Sequence, residues 1–301
     1  MGQVSAPASD EDVPRHLREL GLPGLVDVHV HFMPQRLHTR VWEYFDAGGS
    51  LLGRPWPINY RFDIDRRVDL LRRLGVVRFG ALSYPHKPGM SRSLNEWAAA
   101  FAAQVPAALH CGTFYPEPDA AAYVRDALGA GARLFKAHVQ VGAYDPRDPL
   151  LEPVWGQLAE AGVPVVVHCG NGPQAGRFTG PEVFAEVLAR HPRLTAVIAH
   201  LGAPDYEAFV DLLDRHERLH LDTTMAATDF FAELGAPLPP AVVPRLAEHA
   251  DRVVFGSDFP NIPYPYAHQL EALTRLDLGD EWLRGVYWDN PRRLLGLAGD
   301  W

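Results

Sequence analysis

Chemically active side chains stand at the ends of short apolar runs in this chain, and that placement limits the fold more than any other feature. The first run closes on Asp27-Val28-His29-Val30-His31. Later runs close on His168 in VPVVVHCG, His200 in LTAVIAHLG and Asp258 in RVVFGSDFP. These runs have the length and β-branched content of strands buried on both faces. Ligating side chains at the C-terminal ends of several parallel strands converge on one point when the strands close into a barrel.

The rest of the chain fits that reading. Candidate strands fall at 25–30, 76–82, 108–115, 132–139, 163–168, 195–200, 218–222 and 252–257. Amphipathic segments lie between them. Residues 63–74 place Ile64, Val68, Leu71 and Leu74 at helical spacing and stop at Gly75. Segments 119–128 and 151–161 stop at Gly129 and Gly162, and a further helix begins at Gly180-Pro181 and ends before His191-Pro192. The pattern predicts an α/β fold, a (β/α)8 TIM barrel, as one domain over 17–301. An open doubly wound sheet would want a glycine-rich phosphate loop after the first strand, and residues 30–36 have none. The first strand is followed by a long aromatic loop over 32–62, with Trp42, Tyr44, Phe45, Trp56 and Tyr60. It reads equally as a lid or pocket wall and as a subunit contact.

Composition narrows the function classes. A net charge of −9 disfavours nucleic acid and anionic membranes as partners. Cys111 and Cys169 make no disulfide framework. Residues 1–16 are polar, lack the apolar core of a signal peptide and read as a flexible segment. No run approaches the roughly 18 apolar residues that span a bilayer. The expectation is a soluble, cytoplasmic protein acting on a small molecule, with a homo-oligomer left open.

Residues two apart on a strand face the same side, so His29 and His31 point together into the barrel. Two imidazoles in an apolar strand have polar nitrogens to satisfy, and a divalent metal would satisfy both. Taken singly, each residue has a plainer explanation. His-x-His is more often an exposed strand edge, His168 or His200 a hydrogen-bonded core histidine, and Asp258 a helix N-cap. Taken together, at one end of different strands, they point to a metal site.

The stretches VDVHVHFMP, RLFKAHVQVGAYDP, VPVVVHCGNGP, LTAVIAHLGAPDY, LHLDTTM and RVVFGSDFP resemble the amidohydrolase superfamily. The resemblance is to its amidohydrolase-related branch, which includes aminocarboxymuconate semialdehyde decarboxylase and resorcylate decarboxylase. It runs over nearly the whole chain. The resemblance implies that His29, His31, His168 and Asp258 ligate one divalent ion, Zn in the first place, with Mn or Fe as alternatives. It implies that His200 and Asp258 are catalytic, His200 polarising water or substrate and Asp258 accepting a proton. A bound ion brings the pKa of its water from about 15.7 toward roughly 7, and a neighbouring carboxylate can take the proton.

Lys136 and His138 remain open as a second metal site or as substrate contacts. Binuclear relatives carry a carboxylated lysine on the fourth strand, but Phe135-Lys136-Ala137-His138 is more like the mononuclear relatives. An internal ion pair of Lys136 with Asp27 or Asp222 is the plainer alternative. Tyr84, His86, Tyr115, Asn171, Thr223, Asn261 and Tyr264 fall at strand ends and could line a pocket. The expected activity is a metal-dependent hydrolase in which activated water attacks an amide, ester or lactone carbonyl. The alternative is a non-oxidative decarboxylase of an aromatic or muconate-like acid, for which Arg36, Arg40, Arg54, Arg61 and Arg177 are candidate acid clamps. A non-catalytic metal-binding scaffold is the third reading, disfavoured because no ligand or base is missing.

Overall fold

The structure is a computed structural model describing residues 3–47 and 55–297. Its strands are β1 (Leu25–His31), β2 (Val76–Leu82), β3 (Ala108–Leu109), β4 (Cys111–Thr113), β5 (Leu134–His138), β6 (Val165–His168), β7 (Ala196–Ile198), β8 (Leu219–Asp222) and β9 (Val253–Val254). All pairings are parallel, in the orders β1-β2-β3 and β4 through β9. The third expected strand is therefore interrupted at His110, whose carbonyl accepts from Arg133 N at 2.9 Å. The circuit closes between β1 and the segment after β9. Val28 N donates to Phe255 O (3.0 Å), Asp258 N to His29 O (2.8 Å) and His31 N to Phe259 O (2.7 Å). This is the (β/α)8 barrel that the strand pattern predicts.

Helices follow the strands and cover the outside. They are α1 (Val13–Glu19), α2 (Gln35–Ala47), α3 (Ile64–Arg73), α4 (Ser91–Gln104), α5 (Ala120–Gly129), α6 (Val139–Gly142) and α7 (Glu152–Ala161). After these come α8 (Pro181–Arg190), α9 (Tyr206–Arg215), α10 (Asp229–Glu233), α11 (Val242–Glu248), α12 (Tyr266–Thr274), α13 (Asp280–Arg284) and α14 (Asn290–Leu294). Local signals explain several ends. The Asp63 carboxylate caps α3 by accepting from Arg66 N at 2.8 Å, and α7 stops where Gly162 takes a positive φ of 64°.

Two expectations need correction. The connection after β1 is not a loop throughout, because Gln35–Ala47 forms α2; residues 48–54, and Arg54 with them, lie outside the described residues. The segment up to residue 16 is not loose where it is described. Val4 N donates to Asp280 Oδ1 (3.0 Å), Asp10 accepts from Tyr60 Oη and Ala267 N, and Val13 and His16 are buried. Short-range composition shows polarity but not these partners, which are more than 250 residues away at Ala267 and Asp280. Among the described residues, no helix is long and apolar enough to cross a membrane.

Candidate active site

Alternation on β1 turns Asp27, His29 and His31 into the barrel, where all three are buried. His29 Nδ1 donates to Asp222 Oδ2 at 2.8 Å, and His31 Nδ1 faces Leu82 O at 3.3 Å. The bond to Asp222 leaves His29 Nε2 as its acceptor nitrogen, and the Nε2 of His31 faces Asp258. His31 Nε2 is 2.7 Å from Asp258 Oδ1, and His29 Nε2 is 3.8 Å from it. These three residues offer ligand atoms within 4.8 Å of one another. Two imidazoles and a carboxylate suit Zn, Mn or Fe(II), so the donor set fits a divalent ion.

Electrostatics agrees with that fit. Burial, followed by the Lys136 charge, holds His29 down at about 3, so it is neutral. Burial alone would raise Asp222, but the His29 contact and its other hydrogen bonds hold it below the usual carboxylate range. Asp222 Oδ1 also accepts from His200 N and Thr224 N, each at 3.0 Å. Asp258 is likewise held low, by His31 first, against the opposing effect of burial. Gly256 allows these groups to meet. A Cβ there would lie 2.8 Å from His29 Cβ and 2.2 Å from Thr224 Oγ1.

His168 and His200 stand beside this triad rather than in it. His200 lies 5.5 Å from His29 between ring centroids, and His168 lies 4.7 Å beyond His200. His168 Nε2 faces Gly172 O at 2.9 Å, and His200 Nδ1 faces Thr224 O at 3.1 Å. With those N–H groups donated to carbonyls, His168 Nδ1 and His200 Nε2 face each other as bare acceptors 3.2 Å apart. Burial holds both histidines below the usual imidazole range. A cation would satisfy the two lone pairs.

Lys136 is fully buried, and its Nζ lies 2.9 Å from His29 Nε2. Burial pulls its pKa down to about 8, against the opposing charges of Asp222 and Asp258. Its hydrogen bond is thus to His29 rather than directly to Asp27 or Asp222. His138 stacks on His168 at 4.1 Å and accepts from Val141 N. Among the described residues, no second cluster of three metal-ligating groups accompanies the first.

Backbone strain gathers at this end of the barrel. His200 (φ 60°), Leu201 (φ 51°), Met225 (φ 55°) and Asp258 (φ 67°) all take left-handed conformations that non-glycine residues avoid. They re-aim the chain just after β7, β8 and β9.

Above the triad opens a cavity of about 690 Å³. His29, His31, His138, His168, His200 and Asp258 lie on its lining, and Leu37, Val41, Phe45, Trp56, Met225 and Phe231 give it apolar walls. Tyr84, His86 and Asn261 line it as the sequence suggests; Tyr115, Asn171, Thr223 and Tyr264 do not. Of the candidate clamps, Arg40 lines the cavity. Arg61 pairs with Asp46, Arg177 lies over the Phe178 ring, and Arg36 is not on the lining. The α2 face at Leu37, Val41 and Phe45 was missed at the sequence level, although its helical spacing carried the signal.

Comparison with known proteins places this architecture. The chain is 25% identical over 284 residues to a 6-methylsalicylic acid decarboxylase of Penicillium expansum, covering 79% of this chain and 86% of that protein. A TIM-barrel protein from Bordetella bronchiseptica superposes with a TM-score of 0.70 at 20% identity, over 90% of this chain and 99% of that one. A 5-carboxyvanillate decarboxylase from Novosphingobium aromaticivorans, complexed with manganese and 4-hydroxy-3-methoxy-5-nitrobenzoic acid, has a TM-score of 0.65 at 13% identity, over 93% and 97%. The family model described as Amidohydrolase matches residues 26–297. With that match over nearly its whole length, the chain belongs to the amidohydrolase family, whose members are metal-dependent enzymes of small molecules.

Proposed function

We propose that this chain is a metal-dependent, non-oxidative decarboxylase of aromatic hydroxy acids. The observation that carries the reading is a His29–His31–Asp258 cluster at the floor of an apolar, aromatic-walled cavity. Such walls suit a flat ring, and an apolar surround favours loss of a charged carboxylate as neutral CO2. Arg40, the one Lys or Arg on the lining among the described residues, can steer an acid into the mouth. The similarity to a 6-methylsalicylic acid decarboxylase supports this reading over the hydrolase expected from the ligand set alone.

His29, His31 and Asp258 would hold the ion, with His168 as a further donor, and the ion would supply Lewis acidity to the substrate's oxygens. The chain supplies the proton path. Asp258, held ionised, accepts the phenolic proton as the acid binds. It returns that proton to the ring carbon bearing the carboxylate. The carbon–carboxylate bond then breaks, its electron pair restores the aromatic phenolate, and CO2 leaves. His200, fixed through Nδ1 against Thr224 O, would aim the substrate hydroxyl through Nε2 before Asp258 takes its proton.

The test is incubation of metal-loaded protein with a hydroxybenzoate panel in D2O. The expected result is CO2 release with one deuterium at the vacated carbon. Hydrolysis of an ester, amide or lactone panel, with no CO2 from any acid, would return the reading to a hydrolase.

A further inference from the structure

The cavity is larger than the reacting ring needs. About 150 Å³ of apolar space holds a benzene molecule, whereas this cavity is about 690 Å³, in the range that encloses drug-sized ligands. The extra wall has a distinct origin. Along α2, Leu37, Val41, Tyr44 and Phe45 recur at helical spacing and all line the cavity. A surface helix ordinarily turns its apolar stripe to the core. Here the core-facing residues are His38 and Trp42, held by Arg67 and Asn261. The apolar stripe is left only partly buried, and Tyr44 at its end is 62% exposed. Val141, also on the lining, is 40% exposed. Two of the three large exposed hydrophobic residues among the described residues therefore sit on this one cavity.

We propose that the substrate is an aromatic hydroxy acid carrying an alkyl chain of several carbons, which lies along the Leu37–Val41–Phe45 stripe toward Tyr44 and Val141. The identity of the reacting end rests on the decarboxylase reading; the apolar subsite rests on α2 and the cavity alone. Each methylene moved from water onto the stripe contributes about 0.8 kcal/mol, or about fourfold in affinity.

A series of 6-alkylsalicylates from unsubstituted to pentyl tests this in metal-loaded protein, by CO2 release and by calorimetric binding of the matching 3-alkylphenols. Both kcat/KM and phenol affinity are expected to climb about fourfold per methylene over the first carbons. Tyr44→Ser and Val41→Glu should flatten the climb, and Tyr44 is exposed enough for its change to be tolerated. CO2 released equally fast from the short and long acids would overturn the proposal while leaving the decarboxylase reading intact. Chain-length-dependent phenol binding with no CO2 from any acid would do the reverse. A Tyr44→Ser variant that changes oligomeric state but not the climb would make the rim a subunit contact and end the proposal.

Discussion

Asp222 illustrates how one buried residue governs others. It accepts from the His29 ring and from the His200 and Thr224 backbone, so it fixes the tautomer of one proposed ligand and the position of its neighbour. A carboxylate behind a ligating imidazole raises its basicity and locks its orientation, and losing such a partner typically costs 10–100-fold in metal affinity. Asp222→Asn is therefore expected to weaken divalent-ion binding by roughly that factor, read by competition with a chromophoric chelator. Unchanged affinity would mean that His29 does not need this partner to ligate. In the sequence, LHLDTTM puts Asp222 at a strand end, but nothing local says that it meets a histidine 193 positions earlier.

At the scale of elements, α2 is latched to the barrel by an unusual buried chain. Arg67 on α3 is fully buried and donates to His38 Nδ1 at 2.7 Å. His38 Nε2 then donates to Asn261 Oδ1 at 3.1 Å, and Trp42 and Trp56 reach the same residue. This works only if His38 is neutral. Burial, with the Arg67 charge second, holds its pKa at about 3. The folded state therefore refuses a proton that the unfolded chain takes near the ordinary histidine value of about 6.5. The sign follows from linkage: the unfolded state binds more protons, so the stability is complete above about pH 6.5 and is lost as pH falls toward 3. Urea unfolding at pH 7.5 and pH 5.0 should show that loss. His38→Gln should be less stable overall but flatten the dependence, while His220, held at about 4 by burial, keeps a similar contribution. An unaltered slope in His38→Gln would assign the titration elsewhere.

At the scale of the molecule, the proposed ligands straddle the seam of the barrel. His29 and His31 come from the first strand and Asp258 from just beyond the last. An ion held there joins the two ends of the sheet. Ligand that binds only the folded state stabilises by mass action, about 2.7 kcal/mol at 100 times its Kd. Thermal unfolding with Zn or Mn added is expected to rise by several degrees in the wild type and not in His31→Ala. A rise of the same size in both would place the ion away from this seam.

The sequence alone determined the barrel, because strand burial and helix punctuation are local properties written every few residues. It also marked His29, His31, His168, His200 and Asp258, because each ends an apolar run where a polar side chain needs a reason. Only the tertiary structure decided how these residues group. It set His29, His31 and Asp258 together, left His168 paired with His200, and put Lys136 against His29 instead of in a free ion pair. It also turned Gln35–Ala47 of the expected loop into α2 and gave that helix two working faces. Those outcomes depend on distances between residues far apart in the chain, and a periodic pattern along one segment carries no information about what stands opposite it.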